Sequence, residues 1–494
     1  MFSRRFRLVL LLVCLLATAC PGSPTTTPTA QRPIGNHPNI VFILTDDLST
    51  DLMAVLPKTN QLITSQGMSF KNYFLTDSLC CPSRSSIFRG QYPHNTQIFT
   101  NGGNDGGHAK FHSTGDDTST VATWLQAGGY RTALMGKYLN GYLTNQAGVP
   151  NTFVPPGWSE WDVAGSGYAE FNYKLNENGT IKSYGNAARD YLVDVMAAKG
   201  NDYIKKSTED GKPFFLELAP FVPHVPSVPA PRYADTFPDA KLPQPPSFNE
   251  PDTSDKASWL RALPPLSNGD IKSMEVSYRK REQCLQAVDD MVSGLVTTLK
   301  NNGQLNNTYF VFSSDNGYHM GEHRLQPGKQ TAFDTDIRVP LLIRGPGVPA
   351  GSTSYAIAMN VDLAPTFAAW AGVTPPSFVD GRSLTPVLTG AGKAPSGWRT
   401  AALVEHHGPD TMVTDPDLEN NTVTPITYEA VATQTLTYVE YIDGEFEFYD
   451  RSTDPYQLTN TYATGDQVAI KRLAAQLAAL KTCKADACRT ADSM

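Results

Sequence analysis

Two pairs of oxygen-bearing side chains sit where apolar runs end. Asp46 and Asp47 directly follow Asn39-Ile-Val-Phe-Ile-Leu-Thr45, and Asp315 and Asn316 fall in Phe312-Ser-Ser-Asp-Asn-Gly317, just after the run Tyr309–Phe312. In open α/β sheets ligands bind beyond the carboxyl ends of the strands, so both pairs should reach one crevice. Three carboxylates and an amide oxygen form a hard-oxygen set suited to Ca²⁺ or Mg²⁺ rather than zinc. Either pair alone reads as turn chemistry, because Asp and Asn favour strand ends; together they favour a metal. A second chemical focus is Ser78-Leu-Cys-Cys-Pro-Ser-Arg84-Ser-Ser-Ile-Phe-Arg-Gly90. Pro82 can begin a helix, which puts Cys80 near a helix N-terminus, where anions are stabilised and a thiol's pKa falls. Arg84 follows one turn on, on the same side. A vicinal disulfide or two buried thiols are the other readings of Cys80 and Cys81.

The elements that must position these residues can be traced along the chain. Asn39–Thr45 suits a strand covered on both faces, and further apolar runs of strand length occur at Phe214–Leu218, Tyr309–Phe312 and Val339–Ile343. Helical patterns lie between them at about 56–66, 119–127 ending at Gly128-Gly129, 186–206 and 271–301. In the last, Leu285, Val288, Met291, Val292, Leu295 and Leu299 recur at helical spacing. Strands alternating with helices predict an α/β chain with a mostly parallel, helix-covered sheet. From about residue 395 the texture changes. Leu436–Ile442, Asp443-Gly444 and Glu445–Tyr449 predict a β-hairpin. A last helix at about 465–481 carries Val468, Ile470, Leu473, Leu477 and Leu480. Residues 39–394 therefore read as the main domain and 395–494 as a small α+β subdomain packed on it.

Composition bounds the function. The 494 residues carry 40 basic and 48 acidic side chains, a formal charge of −8, and are 40% hydrophobic. That length suits several units or one large domain with an appendage, and the hydrophobic content excludes global disorder. An acidic chain without a basic tract argues against nucleic-acid binding, and an anionic substrate would need local positive groups. Residues 1–20 read as an export signal: Arg4, Arg5 and Arg7 precede the apolar run Leu8–Leu16 and then Ala17-Thr18-Ala19-Cys20. The run is shorter than the ~18 apolar residues of a membrane span. Cys20 after small residues resembles a bacterial lipoprotein cleavage site, which would place a lipid anchor there. Cleavage after Ala19, leaving a soluble protein, is the other reading, and Arg4-Arg5 also fits a twin-arginine signal. All of these export the chain, as a cell-surface lipoprotein, a periplasmic protein or a secreted one. Residues 21–38, rich in Pro and Thr, read as a tether. Of seven cysteines, Cys14 would leave with the signal. Cys483 and Cys488 close a short loop and are expected to form a disulfide in an oxidising compartment. Cys284, in a helical pattern, reads as a buried small hydrophobe.

Cys80-Cys-Pro-Ser-Arg84 resembles the signature of the sulfatases of the alkaline phosphatase superfamily, with Cys80 first in C-x-P-S-R and Cys81 at its variable position. Gly129-Tyr-Arg-Thr-Ala-Leu-Met-Gly-Lys137-Tyr-Leu-Asn140 resembles a second signature of that family. Tyr92-Pro-His-Asn95, Gly157-Trp158, Ser314-Asp-Asn-Gly-Tyr-His319, Val339–Gly347 and Cys483-x-x-x-x-Cys488-Arg-Thr490 are similar to its N-acetylglucosamine-6-sulfatase branch. The resemblance runs from about Asn39 to the C-terminus. It implies an alkaline-phosphatase-like fold, a mixed, mostly parallel sheet sandwiched by helices, with a C-terminal subdomain of antiparallel sheet plus helix.

It also implies that Cys80 becomes formylglycine before export, through a formylglycine-generating or sulfatase-maturing enzyme. Asp46, Asp47, Asp315 and Asn316 would hold Ca²⁺ together with residue 80. Arg84 and Lys137 would stabilise the hydrated aldehyde, Lys329 would contact the sulfate, and His224, in Ala219-Pro-x-x-Pro-His224, would protonate the leaving alcohol. One hydroxyl of the hydrate attacks sulfur and the alcohol leaves; loss of a proton from the other expels sulfate and restores the aldehyde. His319 and His323 follow the Asp315 pair closely and would face substrate, or else serve as loop polarity. Lys329 on its own reads as a solvated lysine. His94 reads as fixing the loop after the nucleophile helix, and His406 and His407 as pocket rim. Leu139 stands where many sulfatases carry a histidine, which leaves the base for the second hydroxyl unidentified. Gln91 and Leu48 replace, respectively, a common basic residue and a common glutamine. The expected activity is hydrolysis of a sulfate ester, the 6-O-sulfate of N-acetylglucosamine or glucosamine residues or an aryl sulfate. A phosphodiesterase or phosphonate monoester hydrolase of the same superfamily and a non-catalytic sulfated-glycan binder are the alternatives.

Overall fold

Asn39–Thr45 is rich in β-branched and aromatic side chains and is buried at every position. Such a segment is stable only as an interior strand with neighbours on both edges and layers on both faces. In the computed structural model, which describes residues 37–144, 148–409 and 423–494, it is strand β1 at the centre of a ten-stranded sheet. The expected export signal, Cys14, Cys20 and most of the tether lie outside the described residues. The other strands of the sheet are β2 (Met68–Phe74), β3 (Arg131–Lys137), β4 (Glu160–Ala164), β5 (Lys174–Glu177), β6 (Thr180–Ser183), β7 (Phe214–Ala219), β8 (Thr308–Ser314), β9 (Leu341–Arg344) and β10 (Ser352–Met359). Their order is β10-β2-β9-β8-β1-β7-β3-β4-β5-β6. The central run β8-β1-β7-β3-β4 is parallel throughout. Strand β9 runs antiparallel to β2 and β8, and β5 and β6 add an antiparallel edge.

Alternation along β1 divides the core in two. Ile40, Phe42 and Leu44 pack with the helices Cys80–Arg89 and Leu363–Trp370, whereas Val41 and Ile43 pack with the long helix Asn268–Asn301. That long helix starts at a capping box. The Asp270 amide donates to Ser267 Oγ (3.2 Å), and the Ser267 amide donates back to Asp270 Oδ2 (2.9 Å). Its Leu285, Val288, Met291, Val292, Leu295 and Leu299 are buried, as their spacing requires.

The C-terminal part forms a second, antiparallel sheet of β11 (Ala402–His406), β12 (Tyr428–Ala432), β13 (Leu436–Tyr441) and β14 (Phe446–Asp450). Helix Gln467–Leu480 buries Ile470, Leu473, Leu477 and Leu480 against it. Val468, expected on that face, is 79% exposed. It sits in the first turn beside the Asp466 cap, before the helix meets the sheet. The hairpin turn is also longer than expected, because the strands stop at Tyr441 and restart at Phe446 and leave Ile442 in solvent. Phe74, Ile357 and Met359 of the large sheet share a core with Leu403, Val431 and Leu473, so the two sheets are packed as one unit. Cys483 and Cys488 are joined by a disulfide, and Cys284 is free and buried. No helix among the described residues is long and apolar enough to cross a membrane.

A buried charge triad fastens the C-terminal segment. Arg399 donates from Nη1 and Nη2 to Asp362 (2.5 and 2.8 Å) and from Nε to Asp492 (3.0 Å), and all three side chains are out of solvent. Removing the cation leaves the buried Asp362 without its ion pair and Asp492 with Arg382 alone, so Arg399→Met should cost about 3–5 kcal/mol. The urea midpoint of the variant checks this; a midpoint within error of the parent would contradict it.

Candidate active site

The strand ends bring the two acidic pairs together as one unit. Strands β1 and β8 are in register from Asn39↔Thr308 to Thr45↔Ser314, and the ladder continues when the Asp315 amide donates to the Thr45 carbonyl (3.1 Å). The Asp47 amide then donates to Asp315 Oδ1 (3.3 Å), the Leu48 amide to Ser314 Oγ (2.9 Å), and Asn316 Nδ2 to Asp47 Oδ1 (2.5 Å). Asp47 has φ +66°, a left-handed backbone that a β-carbon resists. Neighbouring β7 ends beside them, where Asp46 makes a bridge to Pro223 and so draws His224 inward. His224 Nε2 lies 3.6 Å from Asp47 Oδ2, and its Nδ1 is 2.7 Å from the Val225 carbonyl.

The helix Cys80–Arg89 points its first residue into this crevice. It begins two residues ahead of Pro82, with Leu79 as an extended N-cap. Cys80 and Cys81, both buried and unoxidised, face different surroundings. Cys81 packs into the apolar core with Ile87 and Phe88. Cys80 Sγ lies 3.4 Å from Asp46 Oδ1 and accepts from Lys329 Nζ at 3.0 Å. Arg84, one turn on, donates from Nε to Asp315 Oδ2 (2.7 Å) and from Nη1 to the Lys137 carbonyl (3.1 Å). Lys137 ends β3 and donates to Asp46 Oδ2 (2.6 Å). Gly136 makes that reach feasible: at φ +107° it lies so close to β7 that a β-carbon would stand 2.2 Å from the Ala219 carbonyl oxygen. Lys329 donates to Asp47 Oδ1 (2.6 Å).

All these side chains are buried, with Lys137 the most exposed at 3%. Three carboxylates (Asp46, Asp47, Asp315) face three cations (Arg84, Lys137, Lys329), so these six side chains balance, with His224 a further group able to carry positive charge. Burial pushes the Asp46 carboxyl up, but Lys137 and His224 outweigh it and hold Asp46 below the usual range. Burial raises Asp315. Burial alone would lower Lys137, yet Asp46 lifts it well above an ordinary lysine. The Cys80 thiol is pushed well up by burial and then by Asp46. This overturns the expectation of a helix terminus that acidifies the thiol: in a dry site beside a carboxylate, the half-charge of a helix end is the smaller effect. Cys80 is therefore held as the neutral thiol.

The site fits a metal ion, and its oxygen donors suit a hard divalent cation. Asp46, Asp47, Cys80 and His224 each offer a ligand atom, and these four lie within 4.8 Å of one another. Asp47 Oδ2 and Asn316 Oδ1 are buried oxygens that accept no hydrogen bond from the described residues, as metal-facing oxygens would. Asp315 spends its oxygens on Arg84 and the Asp47 amide, while His224 stands among the ligand atoms.

The other histidines separate. His319 pairs through its backbone with Gly328, next to Lys329, and its Nδ1 meets Asp336 Oδ2 at 2.9 Å. Burial opposes protonation of His319, and Asp336 more than offsets it. His323 is turned to Glu250 (2.6 Å) and stacks on Phe333. His94 bridges Glu405 (2.9 Å) and the Cys483 carbonyl (2.8 Å), tying the segment after the helix Cys80–Arg89 to the C-terminal segment. His406 is buried beside Tyr428, with Nδ1 3.9 Å from Asp77, and His407 stacks on Phe99 nearer the surface. Leu139 is buried in the core, and Gln91 accepts from Arg89 Nε (3.0 Å).

Three residues at the site escaped the sequence reading. Tyr168 packs its ring 4.6 Å from that of His224 and 5.2 Å from Lys137 Nζ. It lies in a Gly-Ser-Gly loop with no pattern of its own. Glu217, inside an apolar strand, faces Arg84's side of the sheet. Arg281, inside a charged helical stretch, looks like solvated surface. A cavity of about 1180 Å³, lined in part by Asp51, Lys71, Tyr278, Tyr318 and Arg338, lies apart from Cys80 and its partners.

This sheet order, with the Cys80 helix and an acidic crevice at its carboxyl end, is the alkaline-phosphatase-like architecture, and solved structures agree. One, a protein in complex with its substrate D-glucosamine-2-N,6-O-disulfate, superposes with TM-score 0.71 at 24% identity over 90% of this chain and 97% of that one. The phosphonate monoester hydrolase of Silicibacter pomeroyi superposes with TM-score 0.70 at 24% identity over 89% and 94%. At such identities they speak for the fold alone. The sulfatase family model matches residues 38–373, and the C-terminal model of N-sulphoglucosamine sulphohydrolase matches residues 321–483. The human N-acetylglucosamine-6-sulfatase is 36% identical over 486 residues, covering 92% of this chain and 86% of the human one. The chain belongs to the sulfatase family and is a sulfuric ester hydrolase.

Glu217 supplies a pH test of the layer beneath the site. Burial pushes its carboxyl up to about 8, although Arg84 opposes the shift. Because the folded value exceeds the unfolded one, ionisation should cost stability as pH rises from about 4.3 towards 8. Glu217→Gln should therefore melt with the parent at pH 4 and above it at pH 9; equal melting temperatures at both would contradict the assignment.

Proposed function

We propose that this sulfatase removes the 6-O-sulfate of N-acetylglucosamine or glucosamine residues, using formylglycine formed from Cys80 and a Ca²⁺ ion. The observation that carries the reading is the surroundings of Cys80 Sγ, which marks where the aldehyde oxygen would stand. Asp46 and Lys329 contact it, Arg84 lies one turn behind, and the thiol itself is held protonated. Such a site suits an oxygen nucleophile better than a thiolate. The near-relationship to the human N-acetylglucosamine-6-sulfatase supports the substrate.

Asp46, Asp47, Asp315, Asn316 and residue 80 would hold the ion, with Arg84 braced against Asp315. When bound, Ca²⁺ supplies positive charge against a nucleophilic oxygen and the sulfate oxygens. Because the three carboxylates are already balanced by three cations, a divalent ion would leave the crevice with a net positive charge suited to a sulfate monoester. Lys329 and Lys137 would hold sulfate oxygens and the nucleophile. Arg84 orients the helix end through Asp315. His224, with Nδ1 at a backbone carbonyl, would present Nε2 to the departing alcohol oxygen and give it a proton. His319, fixed by Asp336 beside Lys329, would face the substrate. The Cys483–Cys488 disulfide supports export to an oxidising compartment, after a maturing enzyme has acted on Cys80.

Kinetics with glucosamine 6-sulfate, an aryl sulfate and a phosphodiester test the proposal. The sulfates should be preferred, and a phosphodiester preference would refute it. Mass spectrometry should find the Cys80 peptide converted in protein from its own host; wholly unmodified peptide would favour a glycan binder. Cys80→Ala should lower kcat by ~10⁴–10⁶-fold, while Cys81→Ala keeps modification and turnover. His224→Ala should cost about 10²–10⁴-fold on the sugar sulfate and much less on an aryl sulfate, whose phenolate leaves without a proton. A strong chelator should abolish activity, and Ca²⁺ should restore it.

A further inference from the structure

The two loops that make the site come from distant parts of the chain, and one side chain spans both. Arg281, on the long helix Asn268–Asn301, is wholly buried. Its Nη2 donates to the Asp47 carbonyl and its Nη1 to the Pro223 carbonyl (3.2 Å). Its guanidinium lies 4.2 Å over the ring of Tyr318, which follows the Asp315-Asn316 pair by two residues. One planar cation thus touches the segment of the carboxylates after β1, the segment of His224 after β7, and the segment after β8.

The contact at Asp47 has a specific use. Asp47 is a non-glycine residue in left-handed backbone, a conformation that persists only where the surroundings over-determine it. A charged donor on its carbonyl is such a determinant, and a lysine in its place would lack the two-pronged reach. The Pro223 carbonyl is one residue from His224, so the same guanidinium sets how near Nε2 comes to Asp47 Oδ2.

We propose that Arg281 is a positioning residue for the sulfatase reaction: it fixes the Asp47 and His224 segments relative to each other, and so couples ion binding to delivery of the proton. It touches no reacting atom. The inference rests on the sulfatase reading and adds a determinant distant in sequence from the motif residues it holds.

The test uses the full-length protein with Arg281→Met and Arg281→Lys. Amide exchange read by mass spectrometry should show faster exchange in both the 45–48 and 221–227 segments of Arg281→Met, with the more conservative Arg281→Lys less affected. Ca²⁺ affinity, measured by calorimetry in a Cys80→Ala background, should fall ~10–100-fold for Arg281→Met. In the matured enzyme kcat should fall by a similar factor with KM little changed, and the pH optimum should move. A purely structural arginine would lower the melting temperature and leave exchange in the two segments, Ca²⁺ affinity and the pH profile as in the parent; that result overturns the inference. If Arg281→Met fails to fold, Arg281→Lys decides by the same readouts, and parental values throughout overturn it. A parent that neither cleaves sulfate esters nor binds Ca²⁺ would sink the sulfatase reading, whereas failure confined to the comparison of variants with parent sinks only this inference.

Discussion

The structure depends on keeping six charges out of water at one end of a sheet. Each of Asp46, Asp47 and Asp315 would be costly alone at that depth, and each of Arg84, Lys137 and Lys329 equally so. They persist because each carboxylate has a cation within 2.6–2.7 Å and because helix, strands and loops deliver all six to one place. Zero net charge is the condition under which the polypeptide alone can bury them. Any divalent ion added to that balance becomes uncompensated charge, and a sulfate ester is the kind of partner that would neutralise part of it.

The parallel sheet follows from this demand. Parallel strands release their chain ends on the same side, so β1, β8, β7 and β3 all deliver site residues to one edge. Asp46 and Asp47 follow β1, Asp315 and Asn316 follow β8, His224 follows β7, and Lys137 ends β3. The helices do the complementary work. One presents Cys80 and Arg84 from the Ile40–Phe42 face; the long helix supports the opposite face and carries Arg281 inward.

Much of this was legible because the governing patterns are local. The apolar runs of β1, β7 and β8, the long helix and the C-terminal helix all announce themselves by periodicity, and the acidic pairs stand at fixed places relative to strand ends. What was not legible depends on packing. Strand β3 reads Arg-Thr-Ala-Leu-Met-Gly-Lys, too mixed to show as a buried strand, and Gly136 matters only for how closely β7 passes. The direction of the Cys80 shift was misjudged because a helix end can be read from sequence whereas dryness and a carboxylate 3.4 Å away cannot. Arg281 was invisible for a similar reason: within Tyr278-Arg-Lys-Arg-Glu282 nothing distinguishes the one arginine that turns inward. The pairing of Asp315 with Arg84 likewise emerges only from side-chain direction.

The two neighbouring sulfurs have no solvent-exposed surface. A second enzyme could not grip either of them in the finished molecule without prising the helix Cys80–Arg89 from its core. If position 80 is edited as proposed, the editing would have to happen while this stretch is still an open thread, and folding would shut the door behind it. On that proposal the proportion of competent molecules would be fixed at birth by a race between editing and collapse, and no later supply of the editing partner would raise it.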